Sequence, residues 1–336
     1  MSYYGVTATN EGLRSARTGR PVASVLARHL ERLPRGAKVT VLIHGYQYHP
    51  DTKSDDPHRL LFAFKPAVSC WKIRSWSNGL GFTRRADANG LCIGFAWPAT
   101  GSIAKSYLTT GKSPFHGIYV KATDFGRQLA ELLDMIRTID PERKVDLVAH
   151  SLGARVALSS LPHLDRHPER IILLGGAEFD SEARRFLGDK PADRTAHVYS
   201  FTARSNDIYD AAFGMFAPRT APTAMPIGSG GVVDHPNWVN IQIDRAQVSD
   251  WINAQGIPLR PVHRHFCHWS FYTRHGAFGI YRAILDRKPG WDLEDLRRVP
   301  GLTEQDPRWS RVRTAFRPRI LRRFWGATDG SFPEIA

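Results

Sequence analysis

The chain has 336 residues, of which 42% are hydrophobic, so it can bury a sizeable core and has a globular rather than a disordered composition. Its formal net charge of +14 indicates attraction to something anionic, such as nucleic acid, a membrane surface or an acidic substrate, unless the charge serves solubility alone. The three cysteines have no C-x-x-C spacing, which argues against a disulfide framework or a cysteine-rich metal site and favours a reducing compartment.

The N-terminal segment has neither the pattern of a secretion signal nor that of a membrane span. Residues 1–20 are polar and are expected to be loosely held. No apolar run is long enough to cross a bilayer, so we expect a cytoplasmic protein. Residues 21–33 place apolar side chains at helical spacing behind a proline suited to the first turn, which predicts a helix that Pro34 ends.

Two buried strands and a long helix are predicted next. Residues 38–45 form an apolar β-branched run that leads into a loop, and residues 91–97 form a second such run, which Pro98 ends. The stretch between them is irregular, with a helix expected somewhere in residues 57–72. Residues 119–137 repeat apolar side chains on one helical face.

The most informative stretch is Val145 to Ala154, in which a buried strand meets a helix at a single serine. The apolar run ends abruptly in Ala149-His-Ser-Leu-Gly153, and helical spacing begins directly after it. This order of strand, tight turn and helix pushes the Ser151 hydroxyl out of the backbone, and the turn needs small residues two positions before and after the serine. The alternative interpretation is an ordinary helix start with Ser151 as its N-cap.

Strands and helices continue to alternate to the end of the predicted domain. Further strands are expected at residues 171–174, 197–201 and 238–243, and a last helix at 276–285. Residues 203–238 are rich in glycine, proline and alanine and are interpreted as a loop or lid insertion. The alternation predicts an α/β fold with a mostly parallel sheet covered by helices on both faces.

A serine acts as a nucleophile only if a base removes its proton and an acid holds that base, and in a parallel sheet these groups lie at the carboxyl ends of strands. Asp207 follows the strand ending near residue 201 and is the first candidate for the acid, with Asp180 and Asp210 as competitors. Each of them could instead cap a turn, as most loop aspartates do.

Histidines crowd the region after residue 230. His268 lies between the last strand and the last helix and is the first candidate for the base, with His265 and His263 as alternatives. A metal site is the competing interpretation, but no acidic or cysteine partner stands nearby at a zinc-motif spacing, so no metal is expected.

The developing oxyanion needs two preorganised N–H donors. Leu152 begins the helix after the serine and directs its N–H at the site. Tyr46 follows Gly45 at the end of an earlier strand and is well placed to offer the second donor. The alternative is a plain strand-to-loop turn without a ligand.

Together, the segments resemble those of α/β-hydrolases, and most closely a poorly characterised bacterial branch of serine esterase- or lipase-like members. The resemblance covers roughly residues 36–286 and rests on Val41-Leu-Ile-His-Gly-Tyr46, Phe95-Ala-Trp-Pro98, Ala149-His-Ser-Leu-Gly153, Ser205-Asn-Asp207 and His268, in that order.

The resemblance implies the α/β-hydrolase fold and assigns the site residues. It implies Ser151 as nucleophile, His268 as base and Asp207 as acid, with Tyr46 and Leu152 as backbone oxyanion donors and no cofactor. Ala149 stands where the family usually has glycine, which we interpret as tolerated. The absence of recognisable early strands before residue 38 predicts a minimal sheet.

Three segments follow from this assignment: residues 1–35 as an N-terminal segment and helix, 36–286 as the hydrolase domain, and 287–336 as a basic C-terminal extension. The extension interleaves arginine with aromatic residues from Arg308 to Trp325. It suits contact with nucleic acid or an anionic membrane, although we favour packing of its aromatic residues on the domain with solvated arginines.

The predicted activity is two-step hydrolysis of small-molecule or lipid carboxylic esters through an acyl-enzyme. An apolar wall of Phe213, Met215 and Phe216 is expected to bind the substrate. With the same residues, the protein could instead cleave a thioester or transfer the acyl group to an alcohol or thiol. The alternative of another class is a noncatalytic module of the same fold that binds an anionic partner through its basic surface.

Overall fold

The structure is a computed structural model that describes residues 2–84, 90–101, 113–231, 233–262 and 264–311. Within these ranges eight strands form one sheet in the order β2-β1-β4-β3-β5-β6-β7-β8, and only the β1–β2 pair is antiparallel. The strands are β1 (Tyr3–Thr9), β2 (Gly12–Ser15), β3 (Val39–Ile43), β4 (Leu91–Ala96), β5 (Val145–His150), β6 (Arg170–Leu174), β7 (His197–Thr202) and β8 (Trp238–Gln242).

Helices cover both faces of the sheet. The strands are apolar along their whole length because successive side chains enter opposite cores: Val41 and Ile43 join one core, and Leu42 joins the other. The described helices are α1 (Val22–Leu30), α2 (Pro57–Leu60), α3 (Trp76–Gly79), α4 (Pro114–Ile139), α5 (Gly153–Ser159), α6 (Asp180–Leu187), α7 (Asp207–Phe216), α8 (Ala246–Ala254), α9 (Ser270–Thr273), α10 (Ala277–Leu285) and α11 (Leu293–Arg298).

The start of the chain differs from the sequence prediction. Residues 1–20 were expected to be loosely held and the sheet to be minimal, but β1 and β2 form a hairpin whose first strand pairs in parallel with β4. Tyr4, Val6 and Ala8 alternate along β1 and are buried. This period of two is that of a strand with one buried face, and the polar residues between its members hid it.

The two predicted irregular regions differ from the expectation in opposite directions. The insertion at residues 203–238 contains α7, whereas the helix expected in residues 57–72 is only the four residues of α2.

Residue 287 is not a boundary, because Trp291, Leu293 and Leu296 are buried in the same core as α10. The basic run of the predicted extension falls mostly on residues 312–336, outside the described residues.

Candidate active site

The Ser151 turn has the backbone that the sequence predicted. Ser151 follows β5 directly and has a φ of 54°, which is a strained conformation for a residue with a side chain. Hydrogen bonds hold it on both sides, because its N–H donates to Leu174 O and its carbonyl accepts from the N–H of Ala177. The hydroxyl is therefore carried on a rigid, strained turn at the carboxyl end of a central strand.

Two glycines allow the ends of β3 and β5 to touch. A Cβ at Gly45 would lie 2.6 Å from Ser151 Cβ, and a Cβ at Gly153 would lie 2.6 Å from His44 O. Neither distance is sterically possible without displacing the serine or the strand end. Ala149 is fully buried within β5, as expected for a methyl that the fold tolerates at this position.

His44 fixes the peptide that carries the first predicted oxyanion donor. Its Nδ1 is 2.8 Å from Gly45 O and its Nε2 accepts the Trp97 N–H at 3.1 Å. Burial lowers the pKa of His44 to about 3, so the imidazole is neutral and its proton is on Nδ1. The Gly45 carbonyl therefore points to His44, and the N–H of Tyr46, across the same planar peptide, points the opposite way.

Both predicted oxyanion donors have a free N–H. Within the described ranges, the backbone N–H groups of Tyr46 and Leu152 donate no hydrogen bond. Leu152 comes directly before α5, where the helix geometry leaves N–H groups unpaired. An anionic oxygen beside Ser151 would satisfy both groups.

His268 lies in the same cleft as Ser151. Its ring stacks on that of Tyr209 at a centroid distance of 4.8 Å, and Nε2 of His150 donates to its backbone carbonyl at 3.1 Å. Burial, and secondly the neighbouring His150, hold the pKa of His268 well below its ordinary value. The imidazole is therefore neutral near pH 7, as a general base must be. Of the two alternatives, His265 is exposed and His263 lies outside the described residues.

The partner of His268 is Asn206, and the expectation for Asp207 is wrong. Nδ1 of His268 is 2.7 Å from Asn206 Oδ1, and Asn206 Nδ2 in turn donates to Asp210 Oδ1 at 2.9 Å. Asp207 turns away: its Oδ2 accepts the Trp309 N–H at 2.6 Å, and its Oδ1 is 3.3 Å from Nη1 of Arg204.

The error has a geometric cause. Asn206 and Asp210 are four residues apart at the start of α7 and share one side of it, whereas Asp207 is rotated by about 100° from Asn206. A sequence motif favours the carboxylate of Asp207 over the amide of Asn206 as the partner of His268. Only the rotation of the helix about its axis distinguishes the two side chains. Asp180, the other competitor, accepts the N–H of Met225 and remains a turn-capping residue.

One comparison with known proteins agrees with this fold. A family model described as "Alpha/beta hydrolase of unknown function (DUF900)" matches residues 21–172, a range that includes β3, β4, β5 and the Ser151 turn. The chain has the α/β-hydrolase fold. Its order of β4-β3-β5-β6-β7-β8 around the serine strand and its helix-covered faces are those of an α/β-hydrolase sheet.

The other comparisons add little. Among solved structures, the chain is similar to a Trichoderma reesei cutinase in complex with a C11Y4 phosphonate inhibitor, with 15% identity over 53% of this chain and 67% of the cutinase. The TM-score of that match is 0.25. The comparison with curated proteins found no match.

The cleft that Ser151 and His268 line has a volume of about 830 Å³. Phe213 and Phe216 line it, as predicted. Phe213 also packs on Phe179 at a centroid distance of 4.7 Å, so it supports the wall as well as forming it. Met215 does not line the cleft and is 75% exposed, because it points away from the core side of α7, so its predicted role is wrong.

The described residues contain no group of three histidine, cysteine or acidic side chains arranged to hold a metal ion. None of their helices combines the length and the apolar character that a membrane crossing requires.

Proposed function

We propose that this α/β-hydrolase is a serine hydrolase that cleaves carboxylic esters, with Ser151 as nucleophile and His268 as base. The observation that carries the proposal is the strained Ser151 turn, which opens into the same cleft as a neutral imidazole. Nδ1 of that imidazole is occupied by Asn206, so its Nε2 is left to accept the serine proton.

The mechanism follows from these groups. Nε2 of His268 takes the proton of Ser151 as Oγ attacks the ester carbonyl, and the resulting imidazolium returns it to the leaving alcohol. The N–H groups of Tyr46 and Leu152 stabilise the negative oxygen of the tetrahedral intermediate. Water then repeats the same steps on the acyl-enzyme and releases the acid.

The lining of the cleft favours apolar ester substrates. Aromatic side chains line the cleft beside the serine: Tyr46, Phe115, Tyr209, Phe213, Phe216 and Trp269. Such a surface binds an acyl chain or an aryl group by removing apolar area from water. We therefore expect short-chain aryl esters, such as p-nitrophenyl butyrate, to be turned over.

Labelling with a fluorophosphonate tests the proposal. Intact-protein mass spectrometry of the wild type should show one phosphonyl adduct, which is lost in Ser151→Ala and forms much more slowly in His268→Ala. Ser54→Ala is the matched control, because Ser54 lines the same cleft and its removal should leave the adduct unchanged.

Two results would contradict the proposal. They are the absence of an adduct on the folded wild type, and an adduct that survives in Ser151→Ala. The first result would favour the noncatalytic binding module. If labelling succeeds, the products formed with and without an added alcohol or thiol measure how far the acyl-enzyme transfers its acyl group rather than hydrolysing.

A further inference from the structure

We propose that Asp210 is a positioning residue of this active site, and that it acts through Asn206 to set which nitrogen of His268 carries the proton. The inference rests on the proposed serine-hydrolase function. It concerns a residue pair in which an amide occupies the place that a carboxylate holds in a serine-histidine-aspartate triad.

An amide next to the base can work in two opposite ways. If its oxygen faces His268, Nδ1 must carry the proton, and Nε2 is free to act as base. If its nitrogen faces His268, Nδ1 must accept, the proton moves to Nε2, and the base is lost. In a serine protease, an amide in the acid position that selects the wrong tautomer lowers kcat about 10⁴-fold.

Asp210 removes this ambiguity. Above its pKa the Asp210 carboxylate only accepts hydrogen bonds, so the Asn206 group that faces it must be the Nδ2 amine, at 2.9 Å. The amide oxygen is then directed at Nδ1 of His268, at 2.7 Å. The sequence of contacts from Asp210 to Asn206 to His268 leaves only the tautomer that can deprotonate Ser151.

The surroundings show that the fold accommodates this carboxylate at a cost. Asp210 is buried, and within the described residues its Oδ2 has no hydrogen-bond partner. Gly228 leaves room for it, since a Cβ there would lie 2.5 Å from both carboxylate oxygens. Burial raises its pKa to about 7, partly offset by Arg204, whereas the neighbouring Asp207 raises it further.

Two variants at positions 206 and 210 test the proposal. In the first, Asp210→Asn, the new side chain can donate as well as accept a hydrogen bond, so it no longer fixes the orientation of the Asn206 amide. We expect kcat for p-nitrophenyl butyrate to fall at least about 10²-fold. KM should change less than threefold, because the cleft is otherwise intact.

The double variant Asn206→Asp/Asp210→Asn puts the carboxylate directly against Nδ1 and the amide behind it. Its kcat should recover to within about tenfold of the wild type. The imidazole ¹⁵N signals of His268 provide a readout that a structural role would not move: the proton should be on Nδ1 in the wild type and the double variant, and shift toward Nε2 in Asp210→Asn.

The outcomes separate the two proposals. A wild type that labels with fluorophosphonate, together with an Asp210→Asn variant of unchanged kcat and unchanged ¹⁵N signals, overturns the role of Asp210 and leaves the serine hydrolase standing. A double variant no better than Asp210→Asn also overturns it. A folded wild type that does not label overturns both proposals.

Discussion

The serine side and the acid side of the candidate active site are built differently. On the serine side, backbone geometry places the reactive group: a φ of 54° at Ser151 and a glycine whose Cβ would clash with it at 2.6 Å. On the acid side, after β7, placement depends on which side chains of one helical turn face His268. There Asn206 and Asp210 face inward, and Asp207 binds Arg204 and the N–H of Trp309.

The difference explains why the sequence predicted the geometry of the serine side and not that of the acid side. A strained turn between a buried strand and a helix leaves small residues at fixed positions, which the sequence displays. On the acid side, the rotation of a short helix about its axis decides which side chain faces His268. The sequence does not show this rotation when three adjacent polar residues could each supply a hydrogen bond. Four experiments test this difference.

Gly45→Ala should have the largest effect, because it adds a methyl where Ser151 Cβ lies 2.6 Å away. We expect kcat/KM for p-nitrophenyl butyrate to fall about 10²–10³-fold, since displacing the nucleophile by about 1 Å is enough to cost that much. Gly117→Ala is the control, because a Cβ there meets open space on α4. Equal kinetics for the two variants would show that backbone contact does not place the serine.

Asn206→Leu should lower kcat about 10²-fold, because a side chain of similar size without polar atoms leaves Nδ1 of His268 unpaired. Asp207→Asn should change kcat less than threefold, although it weakens the buried contact with Arg204 and lowers the melting temperature. Steady-state kinetics with thermal melts distinguish the two. The reverse ranking in kcat would restore Asp207 as the acid.

Asp210→Asn should stabilise the fold at alkaline pH. Burial raises the folded-state pKa of Asp210 to about 7 from an ordinary value of 3.8, so the folded protein binds more protons than the unfolded chain between these limits. Wild-type stability contributed by this group therefore falls as pH rises through that interval.

Urea unfolding at pH 5 and pH 8 measures this effect. The gain of Asp210→Asn over the wild type should be larger at pH 8 by about 2 kcal/mol. Asp250→Asn, at an exposed position of α8, should show no such difference. A gain that does not depend on pH would mean that the pKa of Asp210 is not raised in the folded protein.

Phe216→Ala should have a smaller effect, and Met215→Ala the smallest. Phe216 lines the cleft, so its truncation should raise KM for p-nitrophenyl butyrate about three- to tenfold by removing apolar contact area. Met215 is 75% exposed and should leave KM within twofold of the wild type. Equal changes in both variants would indicate that α7 moves over the substrate as a unit.

Much of the fold could be predicted, because long apolar runs must be buried strands in a sheet covered on both faces. The predicted strands from β3 to β8 are confirmed within two residues at each end. The N-terminal hairpin was missed because only one face of β1 is apolar, so its signal is diluted by threonine and glycine. The buried segment after residue 287 was missed because its charge masked Trp291 and Leu293.

The hydrogen bond from His44 to the Gly45 carbonyl orients the peptide of Tyr46 in the absence of substrate. Because His44 keeps one proton on Nδ1 at any pH well above 3, the Tyr46 N–H has its working direction before any substrate arrives. In the proposed mechanism, its stabilisation of the transition state therefore requires no reorganisation during the reaction. In stopped-flow measurements, turnover of a soluble ester should therefore begin without a lag, because the donor pair is ready at first contact.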